Sequence, residues 1–186
     1  MWRDVTERRI PVAWGAGSRA GAALRLGVLV ALAAAARSPA AAPYALIGRA
    51  APNFVLHAAE GGNVRLSEHR GEVVVLSFWS SRCTPCRTQL SALSRSLATY
   101  RSAGLSIYGV AVDDDPTRAL DFAHSAAVDF ALLLDPAKSV SREYQVDYLP
   151  MTVLIDRNGT VRYVLRDYSG ASDALYLQQL RALLNE

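Results

Sequence analysis

Apolar positions along this chain keep two rhythms, one of strands and one of helices, and they alternate from about residue 50 onward. Val73-Val74-Val75-Leu76-Ser77-Phe78-Trp79 is nearly unbroken apolar and rich in β-branched residues, as a strand buried on both faces should be. Downstream, Leu90, Leu93, Leu97 and Tyr100 recur at spacings of 3, 4 and 3, one stripe of a helix that Gly104 ends. Leu105 to Val112 reads as a second central strand. Asp113-Asp114-Asp115-Pro116 reads as a solvated turn with an N-cap, Pro116 taking the first helical position. Thr117 to Ser125 is then helical, Phe130 to Leu134 a strand, and Asp135-Pro136 opens a short helix through Tyr144. Thr152 to Asp156 and Val161 to Leu165 form a hairpin about Arg157-Asn158-Gly159-Thr160. Ser172 is the expected cap of a last helix with Leu177, Leu180, Leu183 and Leu184 facing inward. Upstream, Ala51 to His57 is extended, Glu60-Gly61-Gly62-Asn63 turns, and Val64-Arg65-Leu66 pairs back. Ser67 to Gly71 is a loop or a single helical turn. The pattern predicts an α/β fold with a mixed central sheet flanked by helices.

Composition sharpens this in one place. Of 186 residues, 51% are hydrophobic and 20% charged, which fits a globular chain rather than a disordered one. The formal charge of +3 is uneven, however. Residues 1–42 hold six arginines against Asp4 and Glu7, whereas residues 43–186 hold 14 basic and 15 acidic side chains. The basic excess belongs to the leader and gives no reason to expect nucleic acid. Within the leader, Leu26 to Ala36 is an apolar run of 11 residues, preceded by arginines and followed by Ser38-Pro39-Ala40-Ala41-Ala42. Basic, apolar, then small-residue segments make a secretory signal, with cleavage after Ala40 or Ala42, or a retained N-terminal membrane anchor. A full span needs about 20 apolar residues. The leader has no cysteine, which excludes a lipoprotein anchor. Residues 1–42 are thus expected to be a signal or anchor, and residues 43–186 one folded domain with an extracytoplasmic location.

The candidate chemistry is Cys83-Thr84-Pro85-Cys86, the only cysteines in the chain, between the apolar strand and the first long helix. A Cys-x-x-Cys pair there reads as a redox site, a structural disulfide or half of a metal site. Cys83 is the candidate nucleophile. At a helix start, unpaired N–H groups and the macrodipole favour a thiolate, and Arg82 and Arg87 add positive charge. Such surroundings lower a thiol pKa from about 8.5 toward roughly 3.5–7.5. Pro85 suits an early helical position, and Cys86, a turn on, faces inward to resolve a mixed disulfide. Zinc would need four ligands, and His57, His69 and His124 stand apart with no metal spacing. No metal or cofactor is expected. Pro150, just before the strand at Thr152, fits either a plain trans turn or a cis bond against a neighbouring loop.

Several separated motifs agree in order and spacing: Ala51-Pro52-x-Phe54-x-Leu56, Gly62-x-Val64-x-Leu66-Ser67, Arg70-Gly71, Val74-Val75-Leu76-x-Phe78-Trp79, Cys83-x-Pro85-Cys86, and Val146-x-x-x-Pro150-x-Thr152-x-x-Ile155-Asp156-x-x-Gly159. Over about residues 48–185 the chain resembles the TlpA/ResA-like branch of the thioredoxin superfamily. The resemblance implies a thioredoxin fold with an N-terminal β-hairpin and an inserted strand-helix element between Val112 and Phe130. It implies an exported thiol:disulfide oxidoreductase with Cys83 and Cys86 catalytic and a cis Leu149–Pro150 bond beside them. Pro150, Leu149, Trp79, Pro85 and Arg82 are the expected substrate contacts, although Phe78 and Trp79 also read as core. The implied partners are a protein disulfide or dithiol, with apocytochrome c a candidate, and a membrane thiol donor. Three positions depart from the family. Arg82 stands where Trp is usual, Ser77 where thioredoxins proper bury an Asp, and Tyr148 where a small residue is common. The enzymatic alternative, a peroxiredoxin, needs Pro-x-x-x-Thr/Ser-x-x-Cys. Ser80 fits that pattern before Cys83, but Leu76 stands in place of the proline. The non-enzymatic alternative is an exported binding module with a structural disulfide.

Overall fold

The computed structural model describes residues 44–186 apart from residue 127, so the leader reading for residues 1–42 lies outside the described residues. A seven-stranded mixed sheet runs in the order β2-β1-β5-β4-β3-β6-β7. Its strands are β1 (Val55–Ala58), β2 (Asn63–Arg65), β3 (Val73–Trp79), β4 (Leu105–Ala111), β5 (Ala131–Leu134), β6 (Met151–Ile155) and β7 (Val161–Leu165). The three strands β3, β4 and β5 are parallel, and all other pairings are antiparallel. The helices are α1 (Thr84–Tyr100), α2 (Pro116–Ser125), α3 (Ser139–Glu143) and α4 (Gly170–Leu184). The sheet is a thioredoxin-like one, with β1–β2 as the N-terminal hairpin and α2–β5 as the inserted element.

The pleat of β3 explains its unbroken apolar run. All seven residues are buried. Val73, Val75 and Trp79 pack on the side of α1, α2 and α4, while Val74, Leu76 and Phe78 pack on the side of α3 and the N-terminal segment. A strand sandwiched this way gains on both faces, roughly 1.5–3 kcal/mol for each fully buried large apolar side chain. In α1 the stripe of Leu90, Leu93 and Leu97 is the buried one. Asp115 caps α2 by accepting the Thr117 N–H at 3.0 Å, with Pro116 opening the helix.

Two boundaries differ from expectation. The cap of α4 is Ser169, and Ser172 sits three residues inside it as the reciprocal half of a capping box. The helix therefore starts earlier, and Tyr176, Leu180 and Leu183 form its buried stripe, with Leu177 and Leu184 half-exposed. The helix expected to open at Asp135-Pro136 begins at Ser139 instead. Asp135, 1% exposed, reaches over the intervening turn to accept N–H groups of Ser139 at 2.9 Å and Ser141 at 2.8 Å.

Buried phenols make the fold sensitive to alkali. Burial pushes Tyr108 up to about 12, the charge of Glu72 adding to the effect. Burial likewise raises Tyr44, Tyr144, Tyr168 and Tyr176. In the unfolded chain these phenols ionise near 10. Their contribution is therefore complete below about pH 10 and lost as pH climbs through the folded values, because the unfolded chain releases its protons first. Urea midpoints should hold steady up to about pH 10 and fall above it. A midpoint flat to pH 12 would show that these phenols titrate alike in both states.

Candidate active site

The site begins where β3 ends. After Trp79 the chain turns through Ser80–Arg82, held by the Cys83 N–H donating to the Ser80 carbonyl at 3.1 Å. Asp113, just past β4, clamps the same loop. Its carboxylate accepts the Ser81 N–H at 2.9 and 3.1 Å and the Ser81 hydroxyl at 2.6 Å. Cys83 is the N-cap of α1, and no side chain caps that end. Of its first-turn N–H groups, that of Cys86 donates to the Cys83 carbonyl at 3.1 Å, which leaves the Thr84 N–H and the helix dipole to favour a negative charge on the Cys83 sulfur. The turn holds no acidic residue to oppose that preference. Pro85 in the first turn withholds a donor that has no intrahelical use.

Cys83 and Cys86 are joined as a disulfide, with Cα atoms 5.3 Å apart. The two sulfurs differ in access. Cys83 is half-buried, whereas Cys86 has no exposed surface and belongs to the core with Trp79 and Leu90. One end of the pair faces outward and the other faces the protein.

Antiparallel pairing of β3 with β6 brings Met151 opposite Phe78. The residue before β6, Pro150, is thereby delivered to the end of the sheet from which the disulfide loop leaves. The Leu149–Pro150 bond is cis. Pro150 is buried, Leu149 half-buried, and Tyr148 stands 58% exposed beside them. Of the five expected substrate contacts, Pro85 and Arg82 are exposed and Leu149 partly so. Trp79 is not at the surface: its side chain is fully buried, so any part it has in substrate binding is indirect. It stacks on Phe122 of α2, ring centres 5.6 Å apart, and the Arg87 guanidinium lies over that ring, 4.6 Å from its centre. The indole fits because Gly109 on β4 has no side chain. A Cβ there would come within 3.0 Å of the Trp79 Nε1.

Beneath α1 lies a neutral polar bridge. The Ser77 hydroxyl donates to the Gln89 carbonyl oxygen at 2.9 Å, and the Gln89 amide donates to the Thr152 hydroxyl at 2.8 Å. All three are buried. Ser77 and Thr152 face each other across β3 and β6, so Gln89 ties the helix that carries Cys86 to both strands. The signal for Gln89 was present in the sequence: it is three residues from Cys86 and four from Leu93, an amide on an apolar stripe, and a buried amide needs partners. Replacing Gln89 by Leu strands two buried hydroxyls, at about 1–3 kcal/mol for each left unpaired. Urea denaturation should show that loss with an unchanged slope. A Leu variant as stable as the parent would mean the hydroxyls find other partners.

The three histidines do not converge on the cysteines. His57 meets Asn63, His69 contacts Tyr108 and Glu72, and His124 is exposed. Among the described residues no group of three His, Cys, Asp or Glu side chains is placed to hold a metal ion.

Disulfide exchange requires one reachable sulfur and a second, sheltered one within bonding distance. With these on a helix N-terminus at the C-terminal end of a central strand of a mixed sheet, fold and site define a thiol:disulfide oxidoreductase of the thioredoxin superfamily. Residues 47–164 match the AhpC/TSA family, and the chain belongs to that family. Thiol-disulfide oxidoreductase ResA of Geobacillus kaustophilus is 34% identical over 119 residues, 64% of this chain and 68% of the relative. A crystal structure described as a thiol:disulfide interchange protein DsbE from Chlorobium tepidum superposes with a TM-score of 0.72 at 33% identity, covering 74% of this chain and 97% of that one. A protein from Bacteroides thetaiotaomicron described as a protein disulfide isomerase gives a TM-score of 0.70 at 30% identity over 75% and 91% of the two chains. The chain is a thiol-disulfide oxidoreductase of the ResA and DsbE type. The peroxidase pattern fails on physical grounds too. Leu76, where that pattern needs proline, is central in β3 and paired on both sides, with Tyr108 and Val153. Proline there would remove a ladder hydrogen bond.

Proposed function

We propose that this protein is an extracytoplasmic reductant of protein disulfides. The Cys83 thiolate attacks a substrate disulfide, forms a mixed disulfide and releases one substrate thiolate. The Cys86 thiolate then attacks the Cys83 sulfur, closing the internal disulfide and releasing the second substrate thiolate. The substrate gains two electrons, the protein loses two, and the protons of its two thiols pass to the substrate sulfurs. The observation that carries this is the unequal access of Cys83 and Cys86. Leu149 and Pro150 form the wall along which substrate backbone lies, with Pro85 and Arg82 opposite. The pair is returned to the dithiol by a membrane thiol donor. Disulfides of the heme-attachment cysteines of apocytochrome c are the candidate substrate. The leader, residues 1–42, supports an extracytoplasmic site as signal or anchor, with residues 43–186 as the folded domain. Among the described residues no helix is long and apolar enough to cross a membrane.

Equilibration against glutathione and dithiothreitol tests the direction. A reductant should titrate near the value of thioredoxin, about −270 mV, and not near about −120 mV, where a strong oxidant lies. The latter value would overturn the direction. Fractionated cells should hold the chain in the envelope or periplasm, and recovery from the cytoplasm alone would overturn the location.

A further inference from the structure

A cleft of about 250 Å³ opens along the loop that leads into the nucleophile, between Ser80, Arg82, Asp113, Asp115, Arg118 and Lys138. Pockets for small molecules and cofactors run from about 300 to 1,000 Å³. This one is at the size of a side chain, and two of its walls are one and three residues before Cys83. Its charges are not equally available. Lys138 is engaged with Asp114 at 2.6 Å, and that contact holds the Asp114 carboxyl below its ordinary range. Arg118 pairs with Asp115 at 3.4 Å, and Asp115 also caps α2. Asp113 is turned inward and takes the Ser81 N–H and hydroxyl. Arg82 is exposed, and among the described residues it has no ion-pair partner within 4.0 Å.

We propose that this cleft is a specificity subsite in which Arg82 receives an acidic side chain flanking the substrate's reactive cysteine. The inference rests on the disulfide-exchange reading above and names the kind of substrate that site selects. Asp114 and Asp115 are exposed as Arg82 is, but each carboxylate of the cleft already has a donor in place, Asp113 from Ser81, Asp114 from Lys138 and Asp115 from the Thr117 N–H, which leaves Arg82 as the charge open to a new partner. A guanidinium suits this task, since it presents paired N–H donors to a carboxylate. The rest of the folded part does not explain such a preference. Residues 43–186 carry 14 basic and 15 acidic groups, so long-range attraction slightly favours basic peptides. A preference for acidic ones would have to arise locally.

The test uses the reduced protein and two synthetic peptides, each closed by an internal disulfide and differing only in Glu or Lys on either side of the cysteines. Second-order rate constants for peptide reduction are compared at low salt. The Glu peptide should react faster by about threefold, the scale of one exposed ion pair, and about 0.5 M salt should compress the ratio. Arg82→Glu should invert it. Lys138→Met, which uncovers the Asp114 carboxylate, should weaken the Glu preference. A Lys peptide that reacts equally fast with the parent, or a ratio unmoved by Arg82→Glu, overturns the subsite and leaves the exchange activity standing. If neither peptide is reduced at all, the exchange reading itself falls, and the subsite with it.

Discussion

Replacing Cys86 by Ser should turn the protein into a trap. Attack by Cys83 remains possible, but the step that frees the substrate is gone, so the mixed disulfide accumulates. Intact mass should show one substrate chain on Cys83, removed by dithiothreitol. Replacing Cys83 by Ser should instead abolish exchange, by on the order of 10³-fold or more, since the covalent nucleophile is lost. The asymmetry comes from burial: Cys86 has no surface that a folded partner could reach. Adducts on Cys86 in the Cys83→Ser variant would reverse the two roles. No adduct in either variant would sink the catalytic assignment of both.

Trp79→Ala should carry the largest stability loss of any single change at the site, about 3–5 kcal/mol, as for other buried aromatic truncations. The indole fills the space between Gly109 and Phe122, and Phe122 in turn carries Arg87. Without it neither β4 nor α2 can close the gap, because Gly109 has no side chain to offer. The urea midpoint should drop with the slope unchanged. Tyr148→Ala, two residues from the cis-proline but 58% exposed, should stay within about 0.5 kcal/mol of the parent. Near-equal losses in the two variants would mean that Trp79 is not the support it is taken for.

What the sequence disclosed was whatever depends on neighbours along the chain. The two-sided burial of β3 follows from its own seven residues, and the Asp115-Pro116 start of α2 from adjacent ones. The cis-proline came through resemblance, because an X–Pro dipeptide alone leaves both isomers open. What stayed hidden joins residues far apart. Asp113 reads as one of three solvated aspartates until β4 brings it to Ser81, 32 residues back. Gln89 and Thr152 are 63 residues apart, and only the pairing of β3 with β6 makes them neighbours. At α4, Ser169 and Ser172 both satisfy a capping pattern, and geometry alone decides between them.

The grip of Asp113 on Ser81 has a consequence for how the enzyme meets its partners. Holding one loop residue in a single backbone state costs about 1–2 kcal/mol of chain entropy. Here that ordering is complete once the chain has folded, through three contacts to one carboxylate. The loop ahead of Cys83 enters each encounter preorganised, so partners need not supply the ordering from their own binding energy. A protein that must engage substrates only briefly can then bind many of them weakly and still present its sulfur in the right place each time.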